Sequence, residues 1–197
     1  MLAAAAIIIS YFIGSISFSF LIGKWVRGID IRKHGSGNAG ATNTLRVLGK
    51  KPAIAVLALD VLKAIFAVLI GKWLNTYDHE WVPVWCGLAA IIGHNWPIYF
   101  GFRGGKGIAT TIGVTATLCF FPALYAGIIA IASIFFTRYV SLGSLLFTTL
   151  LPLFVWGMGR PPEIVWASLI VCVFAFVRHR TNIVKLIQGR ENKIGSK

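Results

Sequence analysis

Nine consecutive residues, Gly35-Ser36-Gly37-Asn38-Ala39-Gly40-Ala41-Thr42-Asn43, carry chemistry that a packed core cannot use. They have almost no apolar bulk. They offer accessible backbone N–H groups, the hydroxyls of Ser36 and Thr42, and the carboxamides of Asn38 and Asn43. Such groups make an anion cradle. Arg32, Lys33 and His34 precede the stretch, and Arg46, Lys50 and Lys51 follow it. A helix starting at about Thr42 would aim its N-terminus at the bound anion. Gly35, Gly37 and Gly40 match G-x-G-x-x-G, but neither a preceding strand nor a βαβ unit accompanies them, so a dinucleotide fold is rejected. The chemistry left is a phosphate site.

Two further segments carry related chemistry. His94-Asn95-Trp96-Pro97 leads into Gly101-Phe102-Arg103-Gly104-Gly105-Lys106-Gly107. The order is not a P-loop: the spacing is one residue short and no Ser or Thr follows Lys106. Arg103 and Lys106 beside glycines nevertheless suit a phosphate or carbonyl oxygen. The third segment is Arg178-His179-Arg180-Thr181-Asn182, in which His179 and Asn182 are spaced to share a helix face. Asp30 is the one acid near these motifs, so neither a Ser-His-Asp triad nor a carboxylate pair is supported, and no three-ligand metal cluster is visible. Two cationic glycine loops without a nucleophile suit two phosphate-bearing reactants held for direct transfer.

The elements that must position these groups are membrane spans. The chain of 197 residues is 57% hydrophobic and 13% charged, and its apolar residues come in long runs, which predicts an all-α integral membrane protein of one domain, residues 1–197. Cys86, Cys119 and Cys172 lie inside those runs as structural thiols. Residues 2–23 lack a basic leader and read as a retained first span. Pro52 sits just inside a second span that reaches Trp73, and a third covers Trp81–Phe100 after an acidic loop at 74–80. Residues 108–137, interrupted by Pro122, read as two short helices turning near Phe120–Pro122. Spans at 141–156 and 163–177 follow, then a basic tail with an apolar stripe at Ile183, Leu186 and Ile187. In the second span Asp60 and Lys63 share a face, either as a neutralising pair or as a network supporting the site.

Charge orients the spans. With seven of them, one face collects seven Lys and Arg from 24–51, two from 101–106, one from 138–140 and six from the tail, sixteen of nineteen. That asymmetry places the motifs and the C-terminus in the cytoplasm and the N-terminus outside. It also accounts for the net charge of +13 without nucleic acid.

Gly-Ser-Gly-Asn-Ala-Gly-Ala-Thr-Asn (35–43), Gly-His-Asn-Trp-Pro…Gly-Phe-Arg-Gly-Gly-Lys-Gly (93–107) and Arg-His-Arg…Asn-Ile (178–183) resemble the motifs of the acyl-phosphate-dependent glycerol-3-phosphate acyltransferases of bacterial membranes (PlsY type). The resemblance spans essentially the whole chain. It implies seven transmembrane helices in the cell membrane, a cytoplasmic site, and no cofactor or metal. It implies transfer of a fatty acyl group from acyl phosphate to the 1-hydroxyl of sn-glycerol 3-phosphate, giving lysophosphatidic acid and phosphate. An acyl-phosphate-forming enzyme is then a functional partner, and membrane lipid the surroundings. Carried over by motif position, Ser36, Arg46, Lys106, His179 and Asn182 would hold glycerol 3-phosphate. Gly37, Asn38, Gly40, Thr42 and Asn43 would hold the acyl-phosphate head, with His94 and Arg103 as secondary candidates. The His-x4-Asp motif of the other acyltransferase family is missing: Ala39, Val84, Tyr99 and Val184 stand five residues after the histidines. Two alternatives remain open at this point, an organic-phosphate transporter and an acyl-CoA-dependent acyltransferase.

Overall fold

The computed structural model describes residues 1–75 and 80–195, which form ten α-helices and two short 3-10 turns, with no strand among them. Most of the expected acidic loop at 74–80, Asp78 included, lies outside the described residues. The chain divides into two units, Met1–Leu118 and Cys119–Lys197.

The first unit contains α1 (Leu2–Gly14), α2 (Phe18–Arg27), α3 (Ala41–Leu48), α4 (Lys50–Leu74), α5 (Trp81–Asn95) and α6 (Ile108–Leu118). Helix α4 packs against α1, α5 and α6, and α1 packs against α5. Small residues let these backbones approach closely, which replaces the hydrophobic drive that lipid cannot supply. A Cβ on Gly14 would overlap the backbone of Ala90, and one on Gly71 would come within 2.7 Å of the Pro83 Cα.

Two expected spans differ in form. The run 2–23 is not one helix; it breaks at 15–17, where Ser17 is extended. The Ser10 and Ser15 hydroxyls bond back to the carbonyls of Ala6 and Tyr11, a habit that weakens helix continuity. The expected span at Trp81–Phe100 stops at Asn95, because Pro97 ends the helix and a 3-10 turn at Ile98–Phe100 follows.

The second unit contains α7 (Phe120–Thr137), α8 (Val140–Gly157), α9 (Pro162–Arg178) and α10 (Arg180–Ile187), with α8 packed against both α7 and α9. The break expected near Phe120–Pro122 falls at Cys119, and Pro122 lies in the first turn of α7, where its missing N–H costs nothing. Helix α7 is a full 18 residues rather than short. Among the described residues, four segments are long and apolar enough to cross a bilayer: Leu2–Arg27 taken through its break, α4, α7 and α8. The pair α9 and α10, bent by 64°, makes a fifth if counted as one span.

Candidate active site

The first glycine-rich loop hangs on two anchors. The 3-10 turn Ile31–Lys33 is capped by Asp30, which accepts the Arg32 N–H at 3.0 Å, and Ile31 is fully buried. Arg32 pairs with Asp30 at 2.9 Å and donates to the Phe100 carbonyl at 2.7 Å. The hydrogen-bonded guanidinium holds the Asp30 carboxyl below its ordinary pKa. Asn43 is the second anchor. Its Oδ1 accepts the Ser36 N–H at 2.8 Å, and its Nδ2 donates to the carbonyls of Ile31 (3.2 Å) and His34 (3.0 Å). With its side chain buried, the Asn43 carboxamide is committed to loop backbone rather than open to a ligand. Gly35 lies at φ +60, where a Cβ would overlap that carboxamide. The loop then enters α3 through Gly40, so the first N–H groups of α3 have no intrahelical acceptor and face the loop. Ser36, Gly37 and Arg46 are exposed, Asn38 and Thr42 half-buried, and Gly40 buried.

The second loop leaves the end of α5. The Phe102 N–H donates to the Pro97 carbonyl (2.9 Å) and the Gly105 N–H to the His94 carbonyl (3.1 Å), which folds 97–105 back on the helix end. Gly104 and Gly105 are buried, Lys106 is half-buried and Arg103 is exposed. A Cβ on Gly105 would overlap His94 Nε2 and lie 2.8 Å from the Ala39 carbonyl oxygen. The two loops therefore touch. The structure brings Ser36–Arg46 and Arg103–Lys106 to one end of this unit, tied again by Arg32 on Phe100. His94 is buried with Nδ1 3.1 Å from Lys63 Nζ, so its ring sits beneath the loop rather than at the surface.

In the second unit, His179 is buried at the bend between α9 and α10, and its Nδ1 lies 2.8 Å from the Ala175 carbonyl. A carbonyl only accepts, so Nδ1 carries a proton. Asn182 Nδ2 donates to Glu191 Oε1 at 2.7 Å, and Ser141 Oγ donates to the same oxygen at 3.0 Å. Sequence reasoning passed over Glu191. Its signal was available: it is the one acid in a tail with six Lys and Arg.

The arrangement can hold anions on backbone N–H groups and cations. Among the described residues, no cluster of His, Cys, Asp and Glu is arranged to hold a metal. A model of glycerol-3-phosphate acyltransferases matches residues 4–189. The chain belongs to the glycerol-3-phosphate acyltransferase family. Members from Shouchella clausii and Halalkalibacterium halodurans, both called glycerol-3-phosphate acyltransferase, are 56% and 55% identical; the first match covers 98% of this chain and 96% of the relative, the second 95% and 93%. A crystal structure of PlsY (YgiH), an integral membrane glycerol 3-phosphate acyltransferase in its glycerol 3-phosphate form, superposes with a TM-score of 0.92 at 39% identity, over 98% of this chain and 96% of that one. Its lysophosphatidic acid form gives 0.90 at 38% identity, over 98% and 95%. This member of the acyltransferase family is thus an all-helical integral membrane protein. The glycine-rich loops of this acyltransferase both fall inside the residues matched.

Proposed function

We propose that the chain transfers a fatty acyl group from acyl phosphate to the 1-hydroxyl of sn-glycerol 3-phosphate. The hydroxyl oxygen bonds to the acyl carbonyl carbon, the bond from that carbon to the phosphate oxygen breaks, and phosphate leaves with the electron pair and takes up the hydroxyl proton. The products are 1-acyl-sn-glycerol 3-phosphate and inorganic phosphate. The step balances without a cofactor. The observation that carries the reading is the contact of two cationic glycine loops at Gly105 and Ala39. It supports two anions held side by side, with charge developing on the carbonyl oxygen met by fixed N–H groups and cations.

In this reading Ser36, Arg46 and Lys106 grip the acceptor phosphate, and His179 and Asn182 keep the acceptor role that the resemblance assigns them. The backbone of Gly37, Asn38 and Gly40, with Thr42 and the start of α3, holds the acyl-phosphate head. Asn43 serves that head indirectly, by holding the loop in shape; Arg103 is a secondary cation. The acyl-phosphate-forming enzyme is the functional partner. The chain works as one acyltransferase domain with seven transmembrane helices in the bacterial cell membrane. The N-terminus lies outside and the motifs and C-terminus lie in the cytoplasm, a topology supported by sixteen of nineteen Lys and Arg falling on one side. A site at the membrane surface lets the acyl chain stay in lipid, avoiding about 0.8 kcal/mol per exposed CH₂.

The purified protein, given glycerol 3-phosphate with palmitoyl phosphate or palmitoyl-CoA, should release phosphate and form lysophosphatidic acid with the former alone. Turnover with palmitoyl-CoA alone overturns the donor assignment. Lys106→Ala should lower kcat/KM for glycerol 3-phosphate by about 10²–10³ without lowering the melting temperature, the cost of one oriented donor at a developing charge.

A further inference from the structure

Three ionisable side chains meet inside the first unit, away from the exposed groups just described. Lys63 and Asp60 lie on the spanning helix α4, their side chains 3% and 2% exposed, as an ion pair at 2.8 Å. His94 lies on α5. Ionisable groups at such depth are costly and persist where they serve a structure that needs them.

The contacts of Lys63 are specific. Its Nζ donates to the carbonyl of Ile16 at 2.6 Å and lies 3.1 Å from His94 Nδ1 and 5.6 Å from the centre of the Phe18 ring. Ile16 sits in the break between α1 and α2, where helix hydrogen bonding lapses and a carbonyl in a membrane protein needs another donor. The ammonium thus has the Ile16 carbonyl as a hydrogen-bond acceptor, Asp60 as its ion-pair partner and His94 Nδ1 in contact. His94 Nδ1 also lies 3.5 Å from Asp60 Oδ1, so this ring nitrogen faces both members of the ion pair, and the other ring nitrogen is Nε2. That nitrogen faces Gly105, beside the carbonyl of Ala39. The His94 carbonyl meanwhile accepts the Gly105 N–H, and a Cβ on Gly104 would overlap that same carbonyl. One residue thus grips the second loop by its ring and by its backbone, and Lys63 holds that ring from behind.

We propose that Asp60, Lys63 and His94 form a buried polar strut that positions the Gly104–Gly107 loop, and through it Lys106, for the acceptor phosphate; this rests on the acyltransfer reading above. All three are positioning residues and touch no reacting atom. The strut runs from the break that leads α2 toward the first loop, through α4 and α5, to the second loop. It couples the approach of both loops to the packing of the spans. Glycine is required at 105 because the ring occupies the space of a side chain.

Three variants test the strut. Removing Lys63 alone would strand a buried carboxylate, so the first is the double change Asp60→Asn with Lys63→Met. His94→Leu removes the polar ring. His94→Asn restores a polar group, since its side-chain amide can occupy the place of Nδ1 and can donate or accept there. Hydrogen exchange at the amides of Gly104, Gly105 and Gly107 reports on the loop without any substrate. The double variant and His94→Leu should exchange faster there than wild type, and His94→Asn should recover part of the protection. KM for glycerol 3-phosphate should rise about 10- to 100-fold, as for displacement of a binding group by about 1 Å, while kcat and the KM for palmitoyl phosphate change less. Wild-type exchange and KM in a folded double variant overturn the proposal. So does a lowered melting temperature with unchanged KM, which is the signature of a purely structural pair. If the double variant does not fold, the two His94 variants decide on the same readings. Wild-type protein without turnover would sink the acyltransfer reading, and the exchange data would still judge the strut.

Discussion

The two glycine-rich loops are close in composition, and they touch, yet they are held by different means. The loop at 35–43 is braced mostly from within its own neighbourhood, with Arg32 also reaching the Phe100 carbonyl. Asn43, seven residues from Ser36 and nine from His34, closes it with three hydrogen bonds, and Asp30 and Arg32 lock its entry. The loop at 101–107 is braced from below. Its support comes from His94 and from Lys63 and Asp60 on a different helix, Lys63 standing 31 residues before His94 in sequence. A loop braced locally can keep its shape while the spans shift. A loop braced by buried charges moves with them. Under the acyl-phosphate reading proposed above, an enzyme that brings a soluble anion to a lipid-borne one gains from having one of each: a fixed cradle and a grip set by the membrane-embedded frame.

The comparison breaks most sharply at glycines. Gly105→Ala would force a methyl group against His94 and the Ala39 carbonyl, so the second loop must shift; kcat/KM should fall about 100-fold, the effect expected of an ångström-scale displacement. Gly37→Ala is its counterpart in the first loop. Its nearest neighbour is the Arg32 carbonyl at 3.3 Å, so the cost is mainly the left-handed backbone at φ +73, about 1–2 kcal/mol. Steady-state kinetics on both variants check the ranking, and equal losses would erase the distinction.

A smaller effect is expected at the local brace. Asn43→Ala leaves the Ser36 N–H and the carbonyls of Ile31 and His34 without that partner; the Ile31 bond is buried and the other two part-buried, a loss of about 1–3 kcal/mol. Thermal unfolding should show it, and KM for palmitoyl phosphate should rise more than KM for glycerol 3-phosphate. The reverse order would assign the first loop to the acceptor.

The smallest effect concerns the entry of the first loop. Asp30 has a folded-state pKa below its ordinary 3.8, chiefly through its hydrogen bond with Arg32. Its contribution is therefore present above that ordinary value and is lost as pH falls through the lower, folded value. Asp30→Asn should lower stability by up to about 1 kcal/mol at neutral pH, with the gap to wild type closing below about pH 4. Melting temperatures measured from pH 3 to 7 check it; a gap that widens in acid contradicts the sign.

How much of this was legible depends on the range of the forces. Helix α8, at Val140–Gly157, fell within a residue of the window 141–156, and α3 began at Ala41, one residue before Thr42. Apolar runs and a glycine entering a helix are local signals. The break at 15–17 was not legible, because the hydropathy of residues 2–23 is continuous and what satisfies Ile16 is a lysine 47 residues away. The commitment of Asn43 to backbone was missed for a different reason. An amide in an anion cradle and an amide bracing a turn have the same sequence, and only geometry separates them. Glu191 stood out as the one acid of its tail, but what it holds was not legible, because Ser141 and Asn182 stand 50 and nine residues away.

By itself the sequence determined that this chain is a helical membrane protein. It also determined that its polar chemistry is gathered in three short cationic segments and that those segments belong to a glycerol-3-phosphate acyltransferase. Composition suffices for the membrane protein and contiguity for the cationic segments, because the transfer of apolar side chains into lipid is additive and a glycine-rich anion loop is one stretch of chain. The family came from the resemblance of the three motifs. The tertiary structure alone decided which amides and rings are committed to the protein itself. Asn43 and His94 both turned inward, and Lys63 with Asp60 turned toward the second loop. Those outcomes depend on where helices far apart in sequence come to lie within a few ångströms, and hydrogen bonds and ion pairs at that range carry no periodicity for a sequence to display.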